Sequence, residues 1–219
     1  MKSTNPFATR FFQPGAMEYA FLSHGCWDKI VDIALDGGRC KLIVGPHGSG
    51  KSTFVQSLIP KLTERLSGGQ VHLVQLSSDG TAGQVVRRDI PHWRSYQVVI
   101  IDGIEQLSWF RRWLVMWHCR LYKLPLLATS HRVFRGCQVL WQTCIDPQTE
   151  RWVLETILAD YGPEVIENAI QSDAWKSSRA RHGDNLRETL FDMYDWWNVV
   201  DRSADQNNSV VDRSADQNK

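Results

Sequence analysis

Long apolar runs are missing from this chain. No stretch approaches the roughly 20 residues that a membrane-spanning helix requires, and no basic region followed by an apolar segment opens the sequence. Membrane insertion is therefore not expected, and the protein reads as soluble and cytoplasmic. Charge of one sign is missing too: Lys and Arg number 25 against 24 Asp and Glu, a net charge of +1, which makes no general case for a polyanionic partner. Basic residues gather locally at Arg111, Arg112, Arg120, Lys123, Arg132 and Arg135, but a solvated helix face or phosphate-sensing arginines explain them as well as a basic groove does, and nucleic acid is not indicated on this count. Paired cysteines are also lacking. Cys26, Cys40, Cys119, Cys137 and Cys144 are odd in number, scattered and without C-x-x-C spacing, so neither a disulfide framework nor a zinc site is expected.

What is present is enough apolar material, 42% of 219 residues, for one α/β core with a small appendage. Within it stands Gly45-Pro46-His47-Gly48-Ser49-Gly50-Lys51-Ser52-Thr53, a complete G-x-x-x-x-G-K-[ST] loop. Cys40–Val44 before it reads as a buried strand and Phe54–Ile59 after it as the start of a helix, the strand-loop-helix context that the motif requires. A chain that wraps a triphosphate needs backbone N–H groups turned inward, and Gly45, Gly48 and Gly50 permit the curvature. Lys51 supplies a mobile positive charge for the β- and γ-phosphates, Ser52 a hydroxyl for Mg²⁺, Thr53 a group near the α-phosphate, and the following helix its N-terminal partial charge. The absence of a guanine-reading N-K-x-D motif favours ATP.

The second half of such a site is an apolar strand ending in an acid, and Val98-Val99-Ile100-Ile101-Asp102 supplies it. Four β-branched residues describe a strand buried on both faces of a parallel sheet, with Asp102 emerging at the ligand edge as a Mg²⁺-side carboxylate. Glu105 is the candidate to activate water; two residues, Gly103-Ile104, separate it from Asp102, and a first-turn helix residue is the competing reading.

Other segments place the frame. A helix around Trp27–Leu35 precedes the first strand, and Phe11, Phe12 and Tyr19 are either base-pocket residues or plain packing. The helix after the loop runs to about Arg65. Leu66-Ser67-Gly68-Gly69-Gln70 matches the signature of ABC-type ATPases letter for letter, yet its position between the first helix and the strand at Val71–Leu76 makes it a helix cap and turn. Residues 77–96 read as polar and irregular, with Gly80, Gly83 and Pro91 keeping any helix there short. A helix over 105–122 carries Trp109, Trp113 and Trp117 at every fourth position, a stripe expected in the core, or on a partner surface if exposed. Strands follow at Pro125–Thr129 and Gln138–Ile145. Helices alone come next, at Pro147–Tyr161, Pro163–Gln171 and Asn185–Trp197, with a polar break at Ser172–Gly183. The domains expected are a lead-in over 1–25, a nucleotide-binding domain over 26–146, a helical lid over 147–198, and a disordered tail over 199–219 in which VVDRSADQN occurs twice.

Together, the phosphate loop, the Asp102 strand, the polar strand end at Thr129-Ser130 and the helical C-terminal piece resemble the AAA+ branch of P-loop ATPases. The chain also resembles a group of bacterial P-loop proteins that share an N-terminal Gln-Pro-Gly and the D-G-x-E-Q-L that stands here as Asp102–Leu107. The resemblance implies a sensor of the γ-phosphate or of the attacking water at Thr129 or Ser130, with His131 adjacent. It implies a lid arginine at Arg187, in a Gly183–Glu188 setting like that family's G-N-x-R-E, and intersubunit arginines near Arg132 and Arg135. A strand-ending hydroxyl and a surface salt bridge are the plainer readings of Ser130 and Arg187.

The expectation is a three-layer P-loop fold with a mostly parallel five-stranded sheet and a small helical lid. Its function would be Mg²⁺-dependent ATP hydrolysis that couples nucleotide state to lid movement, with a homo-oligomer or a protein partner. Two other readings stand beside it. One is a switch or scaffold that binds ATP and scarcely turns it over; the other is a small-molecule kinase, for which no acceptor site is recognisable.

Overall fold

The computed structural model describes residues 5–19, 26–37 and 39–199. The repeated tail beyond Val199 lies outside the described residues. The chain forms two compact units, Glu18–Cys144 and Met1–Met17 with Ile145–Lys219.

The first unit is a parallel five-stranded sheet with helices on both faces. Its strands are β1 (Cys40–Val44), β2 (Val71–Gln75), β3 (Val98–Asp102), β4 (Leu126–Ser130) and β5 (Cys137–Gln142), in the spatial order β2-β3-β4-β1-β5. Every pairing is parallel, so the expectation of a mostly parallel sheet is met in full. Successive side chains of a strand point to opposite faces, which explains why β1, β3 and β4 are apolar almost throughout. Leu42, Val99, Ile101, Leu126 and Ala128 enter one core with Val86, Trp93 and Val115. Ile43, Val98, Ile100 and Leu127 enter another with Ile30, Phe54, Leu58 and Leu62. The helices that supply those partners are α1 (Cys26–Leu35) and α2 (Lys51–Arg65) on one side, and α3 (Ala82–Asp89) and α4 (Trp109–Leu121) on the other.

The turn after α2 closes as the position of its Leu-Ser-Gly-Gly-Gln suggested. Ser67 N–H donates to Glu64 O at 3.0 Å and Gly68 N–H to Thr63 O at 2.9 Å, the paired bonds of a Schellman cap. Within residues 77–96 lies one short helix, α3, followed by a 3₁₀ turn at Ile90–Ser95 that buries Trp93. The helix expected over 105–122 is split: a 3₁₀ turn at Ile104–Gln106 precedes α4, whose start is fixed by Ser108 accepting from Arg111 N–H. Between β4 and β5 only residues 131–136 intervene, so that parallel crossover passes β1 without the usual helix.

The second unit holds α5 (Pro147–Ile157), α6 (Pro163–Gln171), α7 (Asp173–His182) and α8, described over 186–199. Its core joins Leu154, Leu158, Ala169, Trp175, Met193 and Trp197 to Phe7 and Phe12. The polar break expected at Ser172–Gly183 is a helix instead. Ser172 caps it by accepting from Trp175 N–H at 3.1 Å, Trp175 alone carries its large apolar contact with the core, and polar contacts hold the rest. Ser178 donates to Asp192 at 2.7 Å and Arg179 pairs with Glu150 at 2.6 Å. A helix fastened this way has no hydrophobic period to read.

The tryptophan stripe is not in the core. Trp109, Trp113 and Trp117 are 73%, 49% and 52% exposed, and Phe110 stands beside them at 52%; Val115 and Cys119, on the opposite side of α4, face the sheet. Replacing Trp113 or Trp117 by Ala should therefore cost less than about 1 kcal/mol in chemical denaturation. A loss of about 3–5 kcal/mol, as for a buried Trp, would return the stripe to the core.

Candidate functional site

Three neighbouring strands end at the site: β1 runs into the phosphate loop, β3 ends on Asp102, and β4, between them, ends on Thr129 and Ser130 with His131 following. Gly45 N–H donates to Ser130 O at 3.2 Å. A Cβ at Gly45 would lie 2.0 Å from Thr143 Oγ1 and 2.7 Å from both Ser49 Oγ and the Thr143 carbonyl, so only glycine fits. The loop turns through positive φ at Gly48 (68°) and Gly50 (89°), where a side chain would be strained. Ser49 Oγ donates to Pro46 O at 2.8 Å and lies 2.6 Å from Thr143 Oγ1. Thr143, just past β5, thus braces the loop from the side opposite β4, a role with no motif to announce it.

Lys51, the first residue of α2, is 9% exposed and turns back across its own loop. Its ammonium donates to Gly45 O at 2.8 Å and Pro46 O at 2.6 Å, and stands 3.3 Å from His131 Nδ1. Asp102 is held by Thr129, whose Oγ1 donates to Asp102 Oδ1 at 2.5 Å and accepts from Gly103 N–H at 2.8 Å. Of the two hydroxyls expected at this strand end, Thr129 faces the acid; Ser130 is buried with its Oγ 2.8 Å from Arg132 O and 3.2 Å from Arg132 N. Glu105 reaches the same edge because Gly103, at φ 89°, swings the chain into the 3₁₀ turn. Its Oε1 lies 2.9 Å from His131 Nε2, while Oε2 is buried without a hydrogen-bond partner.

His131, which sequence reading placed only as a neighbour, is thus the hub of the site. It touches Glu105 through Nε2 and faces Lys51 and Gly45 O (3.2 Å) through Nδ1, and its ring lies 3.6 Å, centroid to centroid, from that of His47. Only the strand order brings these residues together.

Ser52 and Thr53 are half-buried in the first turn of α2. Tyr19 lies beside the loop, since a Cβ at Gly50 would come 3.3 Å from its Cε2, and its hydroxyl accepts from Trp141 Nε1 at 3.1 Å. Phe12 is instead part of the helical unit's core, 5.4 Å from the Phe191 ring. Arg132 and Arg135 are exposed on the β4–β5 connection, and Arg187 is exposed on α8. Among the described residues no group of three or more His, Cys, Asp or Glu could hold a metal ion, and no helix is long and apolar enough to cross a membrane.

Burial, then the Lys51 charge, pushes the His131 pKa below its ordinary 6.5, with Glu105 opposing. A histidine whose pKa is lower folded than unfolded contributes stability above the unfolded value, and that contribution is lost as pH falls through the folded one. His118, lowered by burial and by Arg94, acts with the same sign. Melting temperature should therefore decline below about pH 6.5, and His131→Gln should shallow that decline. An unchanged pH slope would show that His131 is not held neutral.

The FtsK/SpoIIIE family model matches residues 20–128, just under half of the chain, and covers the phosphate loop and the Asp102 strand. Comparison of the sequence with curated proteins finds no significant match. Solved structures do resemble it. A DNA replication initiation factor matches with a TM-score of 0.55 and 14% identity, over 76% of this chain and 57% of its own. The replication initiator DnaA bound to AMPPCP and single-stranded DNA matches with 0.55 and 13%, over 89% and 67%. Domain III of the Thermotoga maritima replication initiation protein DnaA gives 0.52 and 14%, over 80% and 94%. The chain thus spans little more than half of the first of these. Its fold is that of the AAA+-like P-loop ATPases. The expectation against nucleic acid finds no support in these comparisons, because one of the matched proteins is held on single-stranded DNA.

Proposed function

We propose that this chain binds ATP with Mg²⁺ at residues 45–53 and hydrolyses it, with nucleotide state coupled to movement of the helical unit. The observation that carries the reading is the meeting, at one sheet edge, of a buried Lys51 folded on its loop, an Asp102 oriented by Thr129, and a Glu105 held by His131. Oxygen donors suit a hard cation: the Ser52 hydroxyl and the second carboxylate oxygen of Asp102 would hold Mg²⁺, whose charge would offset that of the phosphates. Lys51 would leave its carbonyls for the β- and γ-phosphates, and the backbone N–H groups of the loop would orient them. Glu105, with one carboxylate oxygen buried and unpartnered, would accept a proton from attacking water. Arg187 is the helical unit's candidate in the same scheme.

The test is Mg²⁺-dependent ATP turnover by the purified protein, with its oligomeric state recorded. Lys51→Ala should reduce turnover by about a hundredfold or more, and Glu105→Gln by about 10²–10⁴-fold while nucleotide still binds. Tight ATP binding with no turnover would replace the hydrolase by a nucleotide-dependent switch.

A nucleic-acid partner forms a second part of the reading. Residues 106–145 contain six Lys and Arg and no Asp or Glu, although the whole chain is nearly neutral. On α4 the Phe110–Trp113 and Trp113–Trp117 rings are nearly parallel, at 21° and 16°, with centroids 6.2 and 6.3 Å apart. Exposed aromatic rings beside cations suit the stacking of unpaired bases, and the likeness to a DNA-bound initiator points the same way. Single-stranded DNA should bind at low salt and weaken as salt rises, and Trp113→Ala should cost about 1–3 kcal/mol of affinity. Unaltered binding in Trp113→Ala, Trp117→Ala and their double variant would remove α4 from the interface.

A further inference from the structure

We propose that Cys40 and Cys137 form an oxidation site, at which a peroxide joins two thiols that share one register position on neighbouring strands into a disulfide within the chain. The proposal is independent of the nucleotide reading and concerns the opposite end of the same two strands.

All five cysteines are free thiols in the structure, but they are not equivalent. Cys40 opens β1 and Cys137 opens β5, and the two stand directly opposite in the parallel ladder, ahead of the irregularity between Leu42 and Ile43. Opposed residues on neighbouring strands present their side chains to the same face, and here both pack into the core that Val115 and Cys119 of α4 cover. A disulfide needs Cα atoms about 4.4–6.8 Å apart, and neighbouring strands lie about 4.8 Å apart. Joining the pair therefore asks for side-chain rotation rather than a rearrangement of the sheet. Cys26 packs on the other face of the sheet, and Cys119 is 1% exposed with its thiol pushed up to about 12 by burial.

The two thiols already share a hydrogen bond, which raises the Cys40 pKa and lowers that of Cys137. Burial reinforces the first shift and opposes the second, while the Arg112 charge adds to the lowering at Cys137. Arg112 is held nearby over the Phe134 ring, 4.3 Å from its centroid, and Cys137 Sγ lies 3.5 Å from Met116 Sδ. Cys137 is half-buried whereas Cys40 is 5% exposed. The roles divide accordingly: Cys137 offers the thiolate that an oxidant reaches first, and Cys40 is the thiol behind it that resolves the product.

With hydrogen peroxide, the Cys137 thiolate attacks one oxygen, the O–O bond breaks, and hydroxide leaves as Cys137 becomes a sulfenic acid. The Cys40 sulfur then attacks the sulfenic sulfur; the S–S bond forms, the S–O bond breaks, and the departing hydroxide takes the Cys40 proton as water. The thiols together lose two electrons and the peroxide gains them. Because β5 is an edge strand paired with β1 alone, the bond adds a covalent link to that single ladder.

The test is treatment of the purified full chain with hydrogen peroxide, blocking of the remaining thiols, and peptic digestion in acid without reduction, followed by mass spectrometry. One linked peptide pair containing Cys40 and Cys137 is expected from monomeric protein, separating on reduction with dithiothreitol. Cys137 linked to a different cysteine, or carried to sulfinic acid while Cys40 stays a free thiol, would overturn the proposal. The order of attack is read with dimedone, which traps sulfenic acids. Cys40→Ser, or Cys40→Ala should the serine variant fail to fold, should accumulate the adduct on Cys137, and wild type should not. A folded Cys40 variant whose Cys137 resists both peroxide and dimedone would show that Cys137 is not the thiol attacked.

Discussion

The position of β4 between β1 and β3 is the constraint on which the candidate site depends. Neighbouring strands lie about 4.8 Å apart, so the end of β1 and the end of β3 are separated by roughly twice that distance. The last residues of β4 span the gap between the loop and Asp102. Thr129 turns to one side and orients Asp102; His131 turns between the loop and Glu105. The loop and the acidic edge are joined through a third element that neither motif contains.

Electrostatics explains why a histidine suits that place. Lys51 is nearly buried, and a charge so placed needs partners at every donor. The loop's own carbonyls supply two. A cation at position 131 would repel Lys51, and burial together with that charge holds the ring neutral. A neutral ring can accept from Lys51 and donate to Glu105 at once, which neither a lysine nor a carboxylate at the same position could do.

The two units are built on different principles. In the sheet unit, apolar strands bury both faces, and the polar groups gather at the strand ends, where the backbone stops pairing. In the helical unit, an apolar core is supplemented by polar fastenings such as Ser178 to Asp192 and Arg179 to Glu150. The aromatic face of α4 belongs to neither scheme. Helix α4 packs through Val115 and Cys119 and leaves its tryptophans outward.

Much of this was legible in the sequence because short-range patterns carry it. The phosphate loop with its flanking strand and helix, the β-branched run into Asp102, the proline-started helices α5 and α6, and the cap after α2 all depend on local backbone geometry or on apolar periodicity. The fold class follows from these alone. Elements whose stability is not local were misread or missed: α7, fastened by polar side chains, looked like a break, and the tryptophan period on α4 looked like a core because period alone does not say which side of a helix meets the sheet. The sequence by itself determined that this is a phosphate-loop α/β protein with an acidic strand. The tertiary structure alone decided that Thr129 rather than Ser130 faces the acid, that Thr143 braces the loop, and that His131 links Lys51 to Glu105, because those partners lie 26 to 94 positions apart and only the order of strands in the sheet brings them within hydrogen-bond reach.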